Sequence, residues 1–346
     1  MFKILIVGPS WIGDTVLAQP LFRLLHEIHG EAAVDVLAPE WTFPLLACMP
    51  EVREALHSPF AHGELKLAAR RRLGRALATH GYDQAIVLPN SFKSALVPFF
   101  AGIPRRTGFR GEARWGVLND VRDFDPQHLP LMVERYAALA TARGEAPRTP
   151  PPTRLRSDEA ARRATLARLE LEPRGPVAAL CPGAEYGPAK RWPAQHFAAL
   201  AQRLCDHGLE VWLIGSPRDR AVGETIEAQS GAAARNLCGR TTLGEAIDLL
   251  ASSALVVSND SGLMHVAAAL GRPLVALYGS SSPRFTPPHA ADARIVHLGL
   301  ACSPCFAREC PLGHFNCMVQ LTPERVCSVI DFDKIAREAH AAPSIP

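Results

Sequence analysis

The sequence lacks any long hydrophobic run, which excludes a membrane-spanning helix. Although 48% of its 346 residues are hydrophobic, no stretch reaches the roughly 18 apolar residues that a span requires. The segment that begins at Lys3 resembles a strand and not the charged start of a secretion signal. We therefore expect a globular protein that remains in the cytoplasm.

The sequence also has little excess of charge of either sign, with a formal net charge of +3. The charge is uneven, because the region from Arg53 to Trp115 contains 11 Lys or Arg against 4 Asp or Glu. Aromatic residues are sparse there and no nucleic-acid-binding motif is present. This basic excess fits either an ordinary solvated surface or a face for an acidic partner. An anionic substrate or a membrane surface is favoured over RNA or DNA.

Two domains are expected from the length alone, because 346 residues exceed what one hydrophobic core usually serves. Prolines cluster between Pro147 and Pro152, and we place the linker there. On both sides, short apolar runs alternate with segments of helical periodicity. This alternation predicts an α/β protein with two parallel sheets facing a central cleft. The expected domains cover residues 1–150 and 151–330, and a C-terminal helix and tail over 331–346 would pack back on the first domain.

The second half is organised around the segment from Ser258 to Pro273, which lies between two strand-like apolar runs. The segment is typical of a turn and a short helix at the carboxyl end of a strand, with Asp260 and Ser261 suited to the cap. Unpaired N–H groups in the first turn of such a helix attract an anion, and we expect a phosphate. His265 lies one turn further on, where it is either packed or in contact with the ligand.

A second loop of this half has the composition of a diphosphate-binding loop. It follows the strand-like run Pro176 to Leu180 and contains Gly183 and Gly187, which allow close backbone approach, and the cation Lys190. Alone, the loop fits a surface turn before a helix equally well. Because strand-end loops of one parallel sheet converge on one side, we expect it to meet the turn at Asp260.

In the first half, a strand over Phe2 to Val7 leads through a glycine loop into a helix with Asp14 near its start. The spacing of Gly8 and Gly13 does not match a dinucleotide-binding fingerprint. A carboxylate in the first turn of a helix satisfies the local dipole. A position beyond the first strand of a βα unit also suits a catalytic base, so both interpretations of Asp14 stay open.

A similar polar loop follows the strand predicted over Gln84 to Leu88. Its residues Asn90, Ser91 and Lys93 either line the same cleft as Asp14 or form a helix cap with a solvated lysine. The residues favour neither interpretation over the other.

Nine cysteines are present, and four of them lie within 16 residues with the spacing C-x2-C-x4-C-x6-C. These four are Cys302, Cys305, Cys310 and Cys317. A reducing cytoplasm argues against two structural disulfides. The ligand number fits a structural zinc ion or an iron–sulfur cluster, while the irregular spacing also fits free thiols in a loop.

Four blocks of the sequence carry a resemblance to a known family. They are Gly8 to Asp14, Leu88 to Ala95, Pro182 to Pro193 and Asn259 to His265. Together they resemble the bacterial ADP-heptose:lipopolysaccharide heptosyltransferases of glycosyltransferase family 9, and among them the heptosyltransferase II group. The match runs in order through nearly the whole chain, and only the region from Cys302 to Cys327 departs from it.

The resemblance implies a GT-B glycosyltransferase with two Rossmann-like domains, of which the N-terminal one binds the acceptor and the C-terminal one binds the ADP-sugar. Such an enzyme would move L-glycero-D-manno-heptose from ADP-heptose to the first heptose of the lipopolysaccharide inner core, with inversion. Asp14 would be the general base, and Lys190 would neutralise the departing ADP. No metal or other cofactor would be required for catalysis.

The resemblance also implies the remaining contacts. The donor would be bound by Gly183, Ala184, Lys190, Asp260, Ser261, Gly262 and His265. The acceptor would be lipid A–Kdo–heptose at the inner face of the cytoplasmic membrane, and it would be bound by Ser10, Asn90, Ser91, Lys93, Arg105, Arg106 and Arg110. The alternatives are a heptosyltransferase of another step (I or III), a GT-B nucleotide-sugar epimerase, and a non-catalytic sugar-nucleotide-binding protein. The basic excess argues against the epimerase, and Asp14 argues against the binding protein.

Overall fold

The computed structural model describes residues 1–61, 63–123 and 125–341. The chain divides into two units, Met1–Arg154 and Leu155–Pro346. Each unit contains a six-stranded sheet, and the neighbouring strands in both sheets are parallel. The predicted α/β fold with two Rossmann-like domains is therefore confirmed. Within the described residues, no helix is long and apolar enough to cross a bilayer.

The first unit has a sheet with helices between its strands. The strands are β1 (Lys3–Val7), β2 (Ala33–Ala38), β3 (Val52–His57), β4 (Gln84–Val87), β5 (Arg105–Phe109) and β6 (Asp120–Arg122). They lie in the order β3-β2-β1-β4-β5-β6. The helices are α1 (Ile12–His29), α2 (Phe43–Ala47), α3 (Leu67–Leu77), α4 (Leu96–Phe100) and α5 (Met132–Ala138), with 3₁₀ turns at Glu40–Thr42, Ala78–His80 and Phe92–Ala95.

The second unit repeats this plan. Its strands are β7 (Val177–Cys181), β8 (Glu210–Leu213), β9 (Ala234–Asn236), β10 (Leu255–Asn259), β11 (Leu274–Leu277) and β12 (Arg294–Val296). They lie in the order β12-β11-β10-β7-β8-β9. The helices are α6 (Glu159–Arg168), α7 (Ala194–Asp206), α8 (Arg220–Gln229), α9 (Leu243–Ala251), α10 (Gly262–Ala269), α11 (Asn316–Val319), α12 (Pro323–Cys327) and α13 (Phe332–Ala341), with 3₁₀ turns at Pro188–Lys190 and Pro217–Asp219. Ile335 of α13 is buried in the core of this unit.

The central strands of both sheets are buried on their two faces. Helices cover each face of a parallel sheet, so such strands are apolar throughout and do not alternate with polar residues. In β1, for example, Ile4, Leu5 and Ile6 are all fully buried, and β7, β10 and β11 are buried along their whole length. Polar side chains therefore collect beyond the strand ends.

Each sheet has one point at which the strand order reverses, between β1 and β4 in the first unit and between β7 and β10 in the second. The connections that leave two such strands run to opposite faces of the sheet and leave a crevice, which is the usual ligand site in open α/β sheets. The segments after β1 and β4 contain Asp14 and Asn90, and those after β7 and β10 contain Lys190 and Asp260. The topology thus brings the predicted residues to two strand-end sites, one in each unit.

The helix that carries Asp14 forms because apolar residues recur at helical spacing. Leu17, Leu21 and Leu24 are buried on one side of α1, which packs this side against the unit's core. The helix ends at Gly30, whose φ of +67° is a left-handed conformation that favours glycine. Asp14 lies in the first turn, directly beyond the carboxyl end of β1.

Candidate active site

In the second unit, three neighbouring strands deliver polar side chains to one edge of the sheet. Lys190 follows β7, Asp260 follows β10 and Ser281 follows β11. Lys190 Nζ lies 2.6 Å from Asp260 Oδ2, and Ser281 Oγ donates a hydrogen bond to the same carboxylate oxygen. The loop that contains Lys190 therefore meets the turn at Asp260, as the sequence predicted.

The ion pair between Lys190 and Asp260 is largely withdrawn from solvent, since the two side chains are 17% and 4% exposed. The ring of Tyr186 also faces the ammonium group, with 5.2 Å between Nζ and the ring centroid. The carboxylate and the ring together hold the ammonium group of Lys190 next to the start of α10.

The start of α10 is suited to an anion. Its cap residue Ser261 makes no side-chain hydrogen bond to the first turn, and its hydroxyl instead lies 3.2 Å from Ser258 Oγ. The first N–H groups of the helix, beginning at Gly262, therefore lack the usual side-chain cap. These N–H groups and the Lys190 ammonium, whose charge Asp260 partly offsets, are donors that suit a phosphate or diphosphate.

A buried amide fixes the Lys190 loop relative to Asp260. Asn259 is the last residue of β10 and is fully buried. Its Nδ2 donates to the carbonyl of Pro182 at 2.8 Å, and its Oδ1 accepts from the backbone N–H of Trp192 at 3.1 Å. Because Pro182 and Trp192 lie at the two ends of the loop, one side chain attaches both ends to β10.

Gly183 is required by a close approach of the backbone to a neighbouring loop. A Cβ at this position would lie 2.4 Å from the carboxylate of Asp219. Asp219 is itself buried and accepts hydrogen bonds from the backbone N–H and hydroxyl of Ser216, at 2.9 and 2.8 Å. The loop after β8 therefore supports the Lys190 loop, in which Ala184 is also buried.

His265 lies on α10, one turn after the proposed phosphate site, and is only 5% exposed. Burial lowers the pKa of His265 to about 4, while the charge of Asp260 raises it and the charge of Lys190 lowers it. The imidazole is therefore neutral at neutral pH. Its Nδ1 has no hydrogen-bond partner among the described residues. The residue is packed beneath the site and lies within electrostatic reach of the ion pair.

In the first unit, Asp14 is half-buried in the first turn of α1. Helix α5 packs against α1, and its residue Tyr136 is buried close to Asp14. Burial raises the pKa of Tyr136 well above its usual value, and the negative charge of Asp14 raises it further. The phenol therefore keeps its proton and remains a neutral neighbour of the carboxylate.

The other predicted residues near Asp14 come from two adjacent strands. Ser10 follows β1, and Asn90, Ser91 and Lys93 follow β4, which pairs with β1. Ser10 and Asn90 are exposed, whereas Ser91 and Lys93 are half-buried. These four residues lie at the same edge of the sheet as Asp14.

Arg114 fixes the position of the Asn90 loop. This arginine is 3% exposed, and it donates to the carbonyl of Pro89 at 2.8 Å and to Asn90 Oδ1 at 3.3 Å. It also donates to the carbonyl of Phe109 at the end of β5. One guanidinium thus joins the loops that follow β4 and β5.

Two of the arginines predicted to contact the acceptor lie elsewhere. Arg105 and Arg106 begin β5 and pair with the first residues of β4, so they lie at the amino end of the sheet, opposite Asn90. Arg105 Nε lies 3.1 Å from Asp120 Oδ2, and Arg106 Nε donates to the carbonyl of Val117 at 2.6 Å. The structure does not bring these two residues together with Asp14.

Further members of the basic excess are used within the first unit. Arg110 follows β5 but forms an ion pair with Asp123, and Arg53 forms one with the fully buried Asp35. The five N–H donors of an arginine can satisfy several carbonyls or a carboxylate at once. The charge count from the sequence therefore overestimates the positive charge that remains for a partner.

The four clustered cysteines line one small cavity of about 20 Å³, together with His314. Cys302 and Cys305 are exposed, whereas Cys310 and Cys317 are half-buried. Across the part of the chain that the structure describes, no three His, Cys, Asp or Glu side chains are arranged to hold a metal ion. The predicted zinc ion or iron–sulfur cluster is therefore not supported, because the thiols line a common cavity without converging on one point.

The cysteine-containing segment instead supports the Lys190 loop through its backbone. The carbonyl of Arg308 accepts from the N–H of Ala189 at 3.0 Å, and the hydroxyl of Tyr186 donates to the carbonyl of Phe306 at 2.7 Å. A Cβ on Gly187 would lie 2.4 Å from the Arg308 carbonyl oxygen. The segment therefore packs directly on the loop that positions Lys190.

The sequence interpretation missed several supporting residues, namely Tyr186, Ser281, Asn259 and Arg114. The sequence does contain a signal for the turn at Asp219, which packs against Gly183. Ser216 and Asp219 have the S-x-x-D spacing of a helix-start capping motif. No comparable signal marks Ser281, since its contact depends on β11 lying beside β10. The roles of Asn259 and Arg114 likewise arise from strand adjacency.

Comparisons with known proteins agree with this architecture. The family model for glycosyltransferase family 9 (heptosyltransferase) matches residues 70–316. Lipopolysaccharide heptosyltransferase 2 of Escherichia coli (strain K12) is 48% identical and covers 97% of this chain and 100% of its own length. Lipooligosaccharide heptosyltransferase 2 of Haemophilus ducreyi is 43% identical over 94% of this chain and 97% of its own. The solved structure of E. coli ADP-heptose LPS heptosyltransferase II matches with a TM-score of 0.87 at 45% identity, covering 99% of this chain and 100% of that chain.

The burial of His265 predicts a loss of stability in acid. The pKa of His265 in the folded protein is about 4, whereas the pKa of an exposed histidine is about 6.5. As the pH falls below about 6.5, the unfolded chain binds a proton that the folded protein does not, so stability decreases until the pH reaches the folded pKa. We expect this histidine to contribute at most about 3 kcal/mol to the decrease, which urea unfolding at pH 7 and pH 4.5 measures.

The control for this prediction is His265→Gln, which cannot titrate. Carboxylates and other histidines contribute equally to both proteins, so the difference between the two pH dependences belongs to residue 265. The variant should lose less stability between pH 7 and pH 4.5 than the unmodified protein. Equal losses would show that the histidine is not held neutral in the fold.

Proposed function

Because this chain belongs to glycosyltransferase family 9, the heptosyltransferases, we propose that it transfers a heptose from ADP-heptose to the first heptose of the lipopolysaccharide inner core. The chain is 48% identical to a lipopolysaccharide heptosyltransferase 2 over 97% of its length. The observation that carries the proposal is the pairing of Lys190 with Asp260 at the uncapped start of α10. That site combines a cation with backbone N–H groups, as the diphosphate of an ADP-sugar requires.

The second unit binds the donor and stabilises the leaving group. Lys190 and the N–H groups at Ser261 and Gly262 contact the diphosphate, and Gly183 lets the backbone of the loop approach it. When the bond between the anomeric carbon and the phosphate oxygen breaks, negative charge grows on ADP and these groups stabilise it. Since the protein supplies the positive potential, the proposed mechanism requires no metal ion or other cofactor.

Asp14 is the general base of a single displacement. The oxygen of an acceptor hydroxyl forms a bond to the anomeric carbon, the bond from that carbon to ADP breaks, and the hydroxyl proton moves to the carboxylate of Asp14. One displacement of this kind inverts the configuration of the sugar. Tyr136 keeps its proton beside Asp14 and adds no second negative charge.

The acceptor binds at the carboxyl edge of the first sheet. Ser10, Asn90 and Ser91 offer hydrogen bonds there, and Lys93 offers a positive charge to the acidic groups of the acceptor. The acceptor is a lipid A–Kdo–heptose whose lipid lies in the inner leaflet of the cytoplasmic membrane. The enzyme therefore works as a peripheral protein at that surface.

Acceptors that carry zero, one or two heptoses test the proposed step. With ADP-heptose as donor, we expect the one-heptose acceptor to gain the mass of one heptose and to react with a kcat/KM at least about tenfold higher than the other two. Equal or greater turnover of the acceptor without heptose would assign the enzyme to a different step. Consumption of ADP-heptose in the absence of any acceptor would indicate hydrolysis or isomerisation.

Replacing Asp14 by Asn tests the proposed base. Loss of a general base should lower kcat about 10²- to 10⁴-fold with little change in KM for ADP-heptose, as measured by steady-state kinetics. Asp158→Asn is the matched control, because Asp158 is the cap residue of α6 and its carboxylate accepts the N–H of Ala160 at 3.1 Å. We expect the control to keep full activity. Near-normal turnover by Asp14→Asn would mean that this carboxylate only satisfies the helix dipole.

Replacing Lys190 by Met tests the stabilisation of the leaving ADP. We expect kcat to fall about 10²- to 10³-fold, and Lys190→Arg to retain part of the activity because it keeps the charge. The change also leaves Asp260 buried without its partner, so thermal stability should fall. The double variant Lys190→Met/Asp260→Asn should regain stability but not activity.

An exposed cation of the same unit provides the control for Lys190. Arg203 pairs with Glu324 on the surface, and Arg203→Met should leave both activity and stability nearly unchanged. If the double variant recovered activity together with stability, Lys190 would act through folding and not through the leaving group.

A further inference from the structure

Four exposed aromatic side chains lie in the segments that follow four strands of the first sheet. They are Trp41, Trp11, Phe92 and Trp115, with exposed fractions of 58%, 52%, 36% and 69%. Each lies in the segment that follows a different strand, namely β2, β1, β4 and β5. These four strands are consecutive in the sheet. We call these four residues the aromatic row. Trp11, Trp41 and Phe92 lie in loops at the edge that also carries Asp14, and Trp115 follows Arg114, whose guanidinium contacts Pro89 and Asn90 at that edge.

Neighbouring strands lie about 4.8 Å apart, so the row extends over about 15 Å along the sheet edge. Trp11 is the residue that precedes α1 and is three positions from Asp14. The indole N–H of Trp41 donates to the carbonyl of Ser10 at 3.2 Å, which fixes one edge of this ring while most of its surface stays exposed. The row therefore passes directly beside the proposed base.

The other two rings are carried by loops that are fixed to each other. The backbone N–H of Phe92 donates to Glu112 Oε2 at 2.8 Å, and the N–H of Glu112 donates to the carbonyl of Asn90 at 3.2 Å. A Cβ on Gly111 would lie 2.3 Å from the same carbonyl oxygen. The glycine thus lets the loop that carries Trp115 pack against the loop that carries Phe92.

The composition of this edge indicates the chemistry of its partner. The flat C–H face of a sugar ring is apolar and stacks on an aromatic face, whose electron density is negative, while the hydroxyl groups need polar neighbours. Ser10, Asn90 and Ser91 provide such neighbours between the rings, and Lys93 adds a positive charge. A surface that inserts into a bilayer would present a more continuous apolar face. A chain of sugars with acidic groups matches the edge better.

We propose that the aromatic row is the platform on which the inner-core oligosaccharide of the acceptor stacks, so that it positions the attacking hydroxyl at Asp14. This inference rests on the proposed function and adds the residues that recognise the sugars of the acceptor. Trp11 and Trp41 hold the sugar that receives the heptose, and Phe92 and Trp115 hold the sugars next to it.

The test uses a deacylated acceptor oligosaccharide, which has no lipid. In Trp41→Ala and Trp115→Ala, KM for this acceptor should rise about three- to tenfold for each lost ring, while KM for ADP-heptose should not change. Trp115→Phe should restore most of the loss because it keeps an aromatic face. Calorimetric titration of the oligosaccharide into each protein gives its Kd without any turnover.

The matched control is Phe99→Ala. Phe99 is 41% exposed but lies on α4, where its ring is 5.6 Å from the guanidinium carbon of Arg106 at the opposite end of the sheet. This variant should bind the oligosaccharide like the unmodified protein. Melting curves of all variants check that the exposed substitutions leave the fold intact.

Two results would overturn the inference. One is an unchanged Kd and KM for the deacylated acceptor in both tryptophan variants. The other is an unchanged Kd with reduced binding to vesicles of anionic lipid, which would assign the row to the membrane surface. Failure of the proposed function would give a different result, because the unmodified protein would then transfer no heptose. The calorimetric titration would still measure whether the aromatic row binds the oligosaccharide.

Discussion

The ion pair between Lys190 and Asp260 is the interaction on which the donor site depends. Withdrawing two charges from water costs free energy that their attraction repays only when further partners are well placed. Here Ser281 donates to the carboxylate and Tyr186 lies against the ammonium group, so both charges are partly satisfied inside the protein. The pair therefore holds a cation at a fixed point beside the start of α10. In the proposed mechanism, an incoming diphosphate would meet a lysine whose position is already set, so little reorganisation would remain when charge develops on the leaving group.

The residues around this pair fix the backbone of the Lys190 loop. Asn259 attaches both ends of the Lys190 loop to β10. On one side, Gly183 fits against the buried Asp219, and on the other, the segment near Arg308 packs on Gly187. Loops are usually the most mobile part of a parallel-sheet domain, and these contacts come from three different segments. The Lys190 loop can therefore hold Lys190 in one position although it contains two glycines and little regular structure.

Much of the architecture was predictable because the buried strands have an unambiguous composition. The apolar runs that became β1, β2, β4, β7, β8, β10 and β11 were recognised. The strands β3, β5, β6, β9 and β12 were not, since each contains at least one arginine and is partly exposed. The meeting of Lys190 with Asp260 followed from the convergence of strand ends. Arg105 and Arg106 were misplaced because a charge count does not distinguish the two ends of a strand. The metal at the cysteines was inferred from ligand number alone, and spacing in sequence does not determine whether thiols converge.

Both units contain a strand–turn–helix element, and the two elements differ in the charge of the first helical turn. In the first unit, the helix that follows β1 has its own carboxylate, Asp14, in its first turn. In the second unit, the helix that follows β10 has no acidic residue in its first turn and no side-chain cap. A helix start binds an external anion only while its N–H groups and partial positive charge are not already matched by a residue of the helix. In the proposed mechanism, a diphosphate would be repelled by Asp14 at the start of α1, whereas at the start of α10 Lys190 offsets the charge of the Asp260 carboxylate. The charges at the two helix starts thus fit the proposal that the second unit holds the nucleotide and the first unit activates a hydroxyl.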